Sequence, residues 1–215
     1  MVFADMCASF HTDGIQYRWY RVRMPIQPSS RRRPTREQTR ARLLEAAAET
    51  FSERGFQAAS LDEVATRAGL TKGAIYSSFS SKEQLFFAVI EERWQERLEG
   101  ARRVTGDSRP AAGHALGERL AAFTADDPNW HLAFLEFWAA SVRGDRANVE
   151  ELRERRRDFR KGIEAQLVHA GVDEHADQLA VIILALSNGL AIEGAIDPDS
   201  TKDVFAFALE RLVSS

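Results

Sequence analysis

Four helix starts crowd the stretch from Thr35 to Gln84, and that punctuation limits the fold more than any other feature of the chain. Thr35-Arg36-Glu37-Gln38, Ser60-Leu61-Asp62-Glu63 and Ser81-Lys82-Glu83-Gln84 each have capping-box spacing: the first residue accepts from the N3 amide and the fourth reaches back. Thr71 is suited to cap the remaining helix by itself. The two helices expected between Ser60 and Ser81, over residues 61–68 and 72–79, are too short to persist alone, because nucleation orders several residues for few hydrogen bonds. They must pack on longer neighbours through Leu61, Val64, Ala65, Leu70, Ile75 and Phe79.

The spacing of Ala65, Gly69 and Ile75 suits a helix-turn-helix. A small residue at 65 lets the second helix approach, Gly69 can take the left-handed backbone that reverses the chain, and Ile75 fills the wedge. A plain helical corner inside a core would show the same spacing. The flanking residues favour nucleic acid: Thr71, Lys72, Gly73, Ala74, Tyr76, Ser77, Ser78 and Lys82 are small, hydroxylated or basic, with no carboxylate before Glu83. Hydroxyls, a phenol and ammonium groups match phosphate oxygens, and small side chains bring the backbone near base edges. The helix starts at Ser60 and Ser81 also present amides to phosphate.

The run from Phe51 through Gly55-Phe56, Ser60-Leu61, Val64-Ala65 and Ala68-Gly69-Leu70-Thr71-Lys72-Gly73-Ala74-Ile75-Tyr76 to Phe79, Lys82-Glu83 and Leu85 resembles the TetR (tetracycline-repressor-like) transcriptional regulators over residues 43–89. The resemblance implies an all-α protein: an N-terminal three-helix DNA-binding domain, a long fourth helix, and a C-terminal helical domain that dimerises and binds a small molecule. It implies a homodimer on double-stranded operator DNA, acting as a repressor that lets go when an effector binds. Thr71, Lys72 and Ala74 resemble the start of the family's recognition helix, and Tyr76 and Lys82 its phosphate-contacting tyrosine and lysine. Ser77-Ser78 departs from the larger residues often found there, so Ser77 is assigned to phosphate at most. The expected DNA contacts are Arg36, Ser60, Leu61, Thr71, Lys72, Gly73, Ala74, Tyr76, Ser77 and Lys82.

Beyond Thr35 no alternating strand pattern appears. Further helices are expected over residues 35–54, with Gly55 as a stop, and over 82–104, 111–124, 129–143, 147–170, 174–193 and 201–212. The organisation expected is a tail over 1–33, the helix-turn-helix domain over 34–82 and a ligand-binding and dimerisation domain over 83–215. The 215 residues, 44% hydrophobic and 28% charged, suit one or two globular domains. The formal charge of −3 conceals a split: residues 1–82 carry 13 Lys/Arg against 8 Asp/Glu, and residues 83–215 carry 16 against 24. The tail has no signal-peptide core, and Met24 is a candidate alternative start. Arg31-Arg32-Arg33 is either a solvated tail or an arm along the DNA backbone or minor groove. The apolar run over 179–192 is read as too short to cross a bilayer, so a cytoplasmic protein with no membrane partner is expected.

Trp130, Phe134, Phe137, Trp138 and Ser141 fall on one helical face. That face reads as core or as the wall of an apolar effector cavity, with Phe123, Trp130, His131, Phe134, Trp138 and Asn188 as candidate ligand contacts. The helix over 179–192 is apolar nearly all round, and with Val204, Phe205, Phe207, Leu209 and Leu212 it reads as half of a four-helix dimer interface. Arginines over 153–160 are interleaved with acids and read as a solvated face. No metal set, cofactor motif or catalytic constellation is found among the five histidines and the single Cys7, so neither an enzyme nor a cofactor is expected. Control by a protein partner instead of a small molecule remains the alternative.

Overall fold

The computed structural model describes residues 35–104, 127–144, 146–201 and 203–214, with 118, 119 and 122. The tail, Arg31–Arg33, Phe123 and nearly all of the helix expected over 111–124 lie outside the described residues. The elements are α1 (Arg36–Ala58), α2 (Leu61–Arg67), α3 (Lys72–Tyr76), α4 (Lys82–Val104), α5 (Pro128–Gly144), α6 (Arg146–His169), α7 (Ala176–Ile196), a 3₁₀ turn (Pro198–Thr201) and α8 (Val204–Ser214). Among the described residues there is no strand, and the all-α class holds.

Helix boundaries follow the local chemistry. Thr35 and Ser60 close complete capping boxes with Gln38 and Glu63. Ser81 makes only half of one: its Oγ accepts from the Gln84 amide, while the Gln84 side chain turns away and donates to Glu151 on α6 at 2.8 Å. Thr71 precedes α3 without a side-chain cap, contrary to expectation. Gly55 does break α1, at φ +75° and ψ 166°, but the chain resumes helical geometry to Ala58 beyond the kink. The turn expected at Gly69 is present with φ +62°: Leu70 N–H donates to Ala65 O and Gly69 N–H to Thr66 O, the paired bonds that close a helix end.

The core runs without interruption from the short helices into the C-terminal ones. Val64, Ala65, Ile75 and Phe79 pack with Leu43, Ala47 and Phe51 of α1 and Leu85, Phe86 and Val89 of α4, all buried. Phe56 and Phe86 then meet Phe137 of α5 at ring separations of 4.7 and 4.8 Å, and Phe86 lies 5.1 Å from Trp130. Such edge and tilted contacts add directional preference to the apolar burial. The described residues from Thr35 onward accordingly form one compact unit.

One expectation about length is corrected. The apolar segment near Leu179 belongs to a helix of 21 residues, because Ala176–Gln178 and Glu193–Ile196 continue it at both ends, and that is long and apolar enough to span a bilayer by length and composition. Ala176, Ala180, Ile183, Leu184, Ser187 and Ala191 of this helix are nevertheless buried against the rest of the chain.

Candidate nucleic-acid interface

Alpha-2 and α3 owe their mutual angle to the turn at Gly69 and to two clamps. Arg42 of α1 donates from Nη2 to the carbonyl of Ala68 at 2.5 Å, tying off the last turn of α2. Ile75, wholly buried, and Phe79 anchor α3 from below, with the Arg40 guanidinium 4.6 Å from the Phe79 ring centroid. Held this way, α3 turns outward Thr71, Lys72, Gly73, Tyr76 and Ser77, all exposed, with Ala74 half-buried; Tyr76 is 53% exposed. A phenol that open on a helix of five residues contributes little to packing, so the sequence leaves it available for contact.

The remaining candidates separate by their partners. Arg36 is exposed at the start of α1, and Leu61 is half-buried at the start of α2. Ser60 is exposed but occupied: its Oγ accepts from Glu63 N–H at 3.2 Å and donates to Glu63 Oε2 at 3.1 Å. The Ser77 hydroxyl donates to Ala74 O at 2.7 Å, leaving its oxygen lone pairs outward. Lys72 pairs with Asp62 of α2 at 2.9 Å, and this carboxylate holds the ammonium above its ordinary range. The reading that no acid intrudes here overlooked Asp62, which is distant along the chain and brought in by the turn.

Lys82 differs most from its expected role. Its ammonium donates to Phe56 O at 2.8 Å and to Gln57 O and Ala59 O, each at 3.1 Å, and stands 4.6 Å over the Phe56 ring. Its three protons therefore cap the carbonyl end of α1, where a cation is favoured by the helix dipole. In this arrangement Lys82 joins α4 to α1 and is not a free donor.

Two carboxylates from α5 complete the frame. Asp127 caps α5 by accepting from Trp130 N–H at 3.0 Å, accepts from the Ser52 hydroxyl at 2.5 Å and pairs with Arg93 of α4 at 2.8 Å. Glu136 accepts from Gln57 N–H at 3.2 Å, against the kink at Gly55. Asp127 before Pro128 at the first helical position is a local helix-start arrangement, whereas its ties to α1 and α4 depend on how the helices pack.

The described candidate ligand residues do not gather round any one of the described cavities. Trp130, His131 and Phe134 are buried in the core, Asn188 is half-buried on α7, and Trp138 is 45% exposed at the edge of the aromatic face of α5. The single-face expectation thus holds for Trp130, Phe134, Phe137 and Ser141 and fails for Trp138, because a helix so closely packed buries a narrower stripe than its aromatic run. His131 accepts at Nε2 from Arg97 at 2.6 Å, with Nδ1 3.3 Å from Asp127 O, and burial beside Arg97 pushes its pKa down to about 4. It is a neutral core histidine.

A three-helix turn unit with an outward-facing short helix, carried on a long fourth helix and an all-helical remainder, defines a helix-turn-helix regulator. Residues 43–89 match the family described as bacterial regulatory proteins, tetR family, and residues 110–214 match the BetI-type transcriptional repressor C-terminal family. The chain belongs to the TetR family of transcriptional regulators, which are not enzymes.

The chain is 36% identical over 102 residues to the HTH-type transcriptional activator FasR of Mycolicibacterium smegmatis, covering 46% of this chain and 47% of that protein. It is 42% identical over 57 residues to the regulator SrpR of Pseudomonas putida, covering 26% and 27%. These matches span less than half the length of the curated relatives. A transcriptional regulator from Rhodococcus sp. Rha1 has a solved structure with a TM-score of 0.63 and 25% identity, covering 81% of this chain and 94% of that one.

Proposed function

We propose that the protein is a cytoplasmic, homodimeric, ligand-responsive repressor that sets α3 of each protomer into a major groove of double-stranded operator DNA. The observation that carries this reading is the outward face of α3, where Thr71, Lys72, Gly73, Tyr76 and Ser77 stand exposed on a rigid scaffold. Thr71, Lys72, Gly73 and Ala74 approach base edges, while Tyr76, Ser77, Arg36 and the α2 start at Ser60 and Leu61 meet phosphate. Lys82 joins the interface only by exchanging one of its three internal bonds. Residues 34–82 carry DNA contact and 83–215 carry sensing and pairing, across a shared core.

Support for the homodimer comes from α7 and α8. Opposite its buried stripe, α7 exposes Val181, Ile182, Ile192 and Ile196, and α8 exposes Phe207. A second copy covers this apolar face, not lipid, because α7 is already seated in the core on its other side. Support for an effector comes from a cavity between α4, α6 and α7, lined by Leu98, Phe159, Ile163, Gln166, Ile183 and Ser187. Gln166 Oε1 is buried there without a hydrogen-bond partner. At about 30 Å³ the cavity holds little more than a water, so a small apolar effector must push α4 away from α6 to enter. Because Lys82 at the head of α4 caps α1, that displacement reaches the α2–α3 unit. The repressor assignment is supported by the C-terminal match to the BetI-type repressor family.

The test is operator selection with the full chain on a random DNA library, followed by a ligand screen on the selected duplex. A palindromic site, bound with a steep salt dependence and released by a small apolar compound, is expected. Absence of any enriched sequence would sink the DNA reading; an enriched sequence that no compound releases would shift control to a protein partner.

A further inference from the structure

The C-terminal half of α5 and the N-terminal half of α6 leave between them a groove of about 510 Å³. Past Val142, Val149 and Arg153, which wall both spaces, it continues into a hollow of about 220 Å³ with Trp138 and Leu152 in its wall and Arg156 and Arg160 at its rim. Two properties rarely coincide in such a place. The floor is apolar and open, with Val142 60% exposed beside the half-exposed indole of Trp138. The walls are cationic: Arg143, Arg146, Arg153, Arg156 and Arg160 surround it, and among the described lining residues the one carboxylate, Glu150, is paired with Arg153. Among the described residues no carboxylate pairs with Arg146, Arg156 or Arg160.

Arg156 is the most informative of these. It lies largely inside the protein with its guanidinium 6.0 Å from the Phe134 ring centroid, and burial together with neighbouring Arg160 pushes its pKa down. An anion held between the half-buried Arg156 and its neighbour Arg160, at the edge of an apolar hollow, stabilises the guanidinium that burial disfavours. A guanidinium fork matches a carboxylate in two parallel bonds, and an indole face matches a flat ring. Duplex DNA suits the place poorly, because its phosphates would meet the rim while the concave apolar floor stayed uncovered.

We propose that this α5–α6 groove is a binding site for an aromatic organic anion, its ring on Trp138 and Val142 and its carboxylate between Arg156 and Arg160. The site shares no lining residue with the cavity between α4, α6 and α7, so it stands or falls independently of the effector reading.

Calorimetry on the full chain tests it with 2-naphthoate, its neutral isostere 2-naphthylmethanol and inorganic phosphate as probes. Naphthoate should bind at least about tenfold more tightly than the alcohol or phosphate, since the charge and the ring are both recognised. The double substitution Arg156→Gln with Arg160→Gln should weaken naphthoate at least about tenfold, while Gln166→Leu in the other cavity should leave it unchanged. Equal binding of acid and alcohol, or naphthoate binding that survives the double substitution, overturns the proposal. So does co-sedimentation with phosphatidylglycerol vesicles that the double substitution abolishes, which would make the groove a lipid contact. Should the double variant fail to fold by circular dichroism, Trp138→Ala at an exposed position takes its place, with the same loss expected.

Discussion

At the scale of single residues, burial and neighbours decide what each candidate side chain can do. His131 and Lys72 illustrate the two directions. The pKa of His131 lies at about 4 in the folded chain, below the 6.5 of an unburied imidazole, because it is buried and faces Arg97. The folded state therefore binds fewer protons than the unfolded one. Its stability contribution is complete above pH 6.5 and is lost as pH falls towards 4. The loss should reach on the order of 3 kcal/mol in urea denaturation, and His131→Gln should flatten that pH dependence. An unaltered acid limb in the variant would assign the sensitivity to other groups. Lys72 is exposed and held by Asp62. Asp62→Asn removes a negative charge beside the proposed interface and frees the ammonium, so operator affinity at fixed salt should rise about two- to fivefold. A fall measured by fluorescence anisotropy would mean instead that the ion pair aims Lys72.

At the scale of elements, backbone conformation is as decisive as side-chain pattern. Gly55 sits at φ +75° with Glu136 Oε2 only 2.7 Å from where a Cβ would stand. Gly55→Ala would add left-handed strain and displace the carboxylate that accepts from Gln57 N–H, so a cost of about 1–3 kcal/mol is expected in chemical denaturation. A neutral result would show that the kink relaxes freely. The helix starts at Thr35 and Ser60 were legible because a capping box is a local device: both partners lie within one turn. The half-box at Ser81 was not, since Gln84 prefers Glu151 across the interface with α6. Lys82 is expected at phosphate because it resembles the family's phosphate-contacting lysine. Its actual partners, the carbonyls of Phe56, Gln57 and Ala59, lie at the far end of another helix.

At the scale of the whole molecule, the proposed dimer requires the exposed apolar faces of α7 and α8 and the outward face of α3 to serve one assembly. Ile182 is 43% exposed on α7, so Ile182→Asp should leave the protomer folded. It should dissociate the dimer in sedimentation velocity and weaken operator binding at least about a hundredfold, because two recognition helices no longer act together. An intact dimer in that variant would move the proposed interface elsewhere.

The sequence by itself determined the all-α class, the helix-turn-helix and the family, because caps, the glycine turn and apolar periodicity are short-range signals that each segment carries within a few residues. Only the tertiary structure decided that Trp138 opens onto an arginine-lined groove while Trp130 and Phe134 are core, that Asp62 reaches Lys72, and that Lys82 caps α1. Those outcomes depend on which helix faces approach one another. That is set by packing a continuous aromatic core between α1, α4 and α5, not by any local rule of spacing.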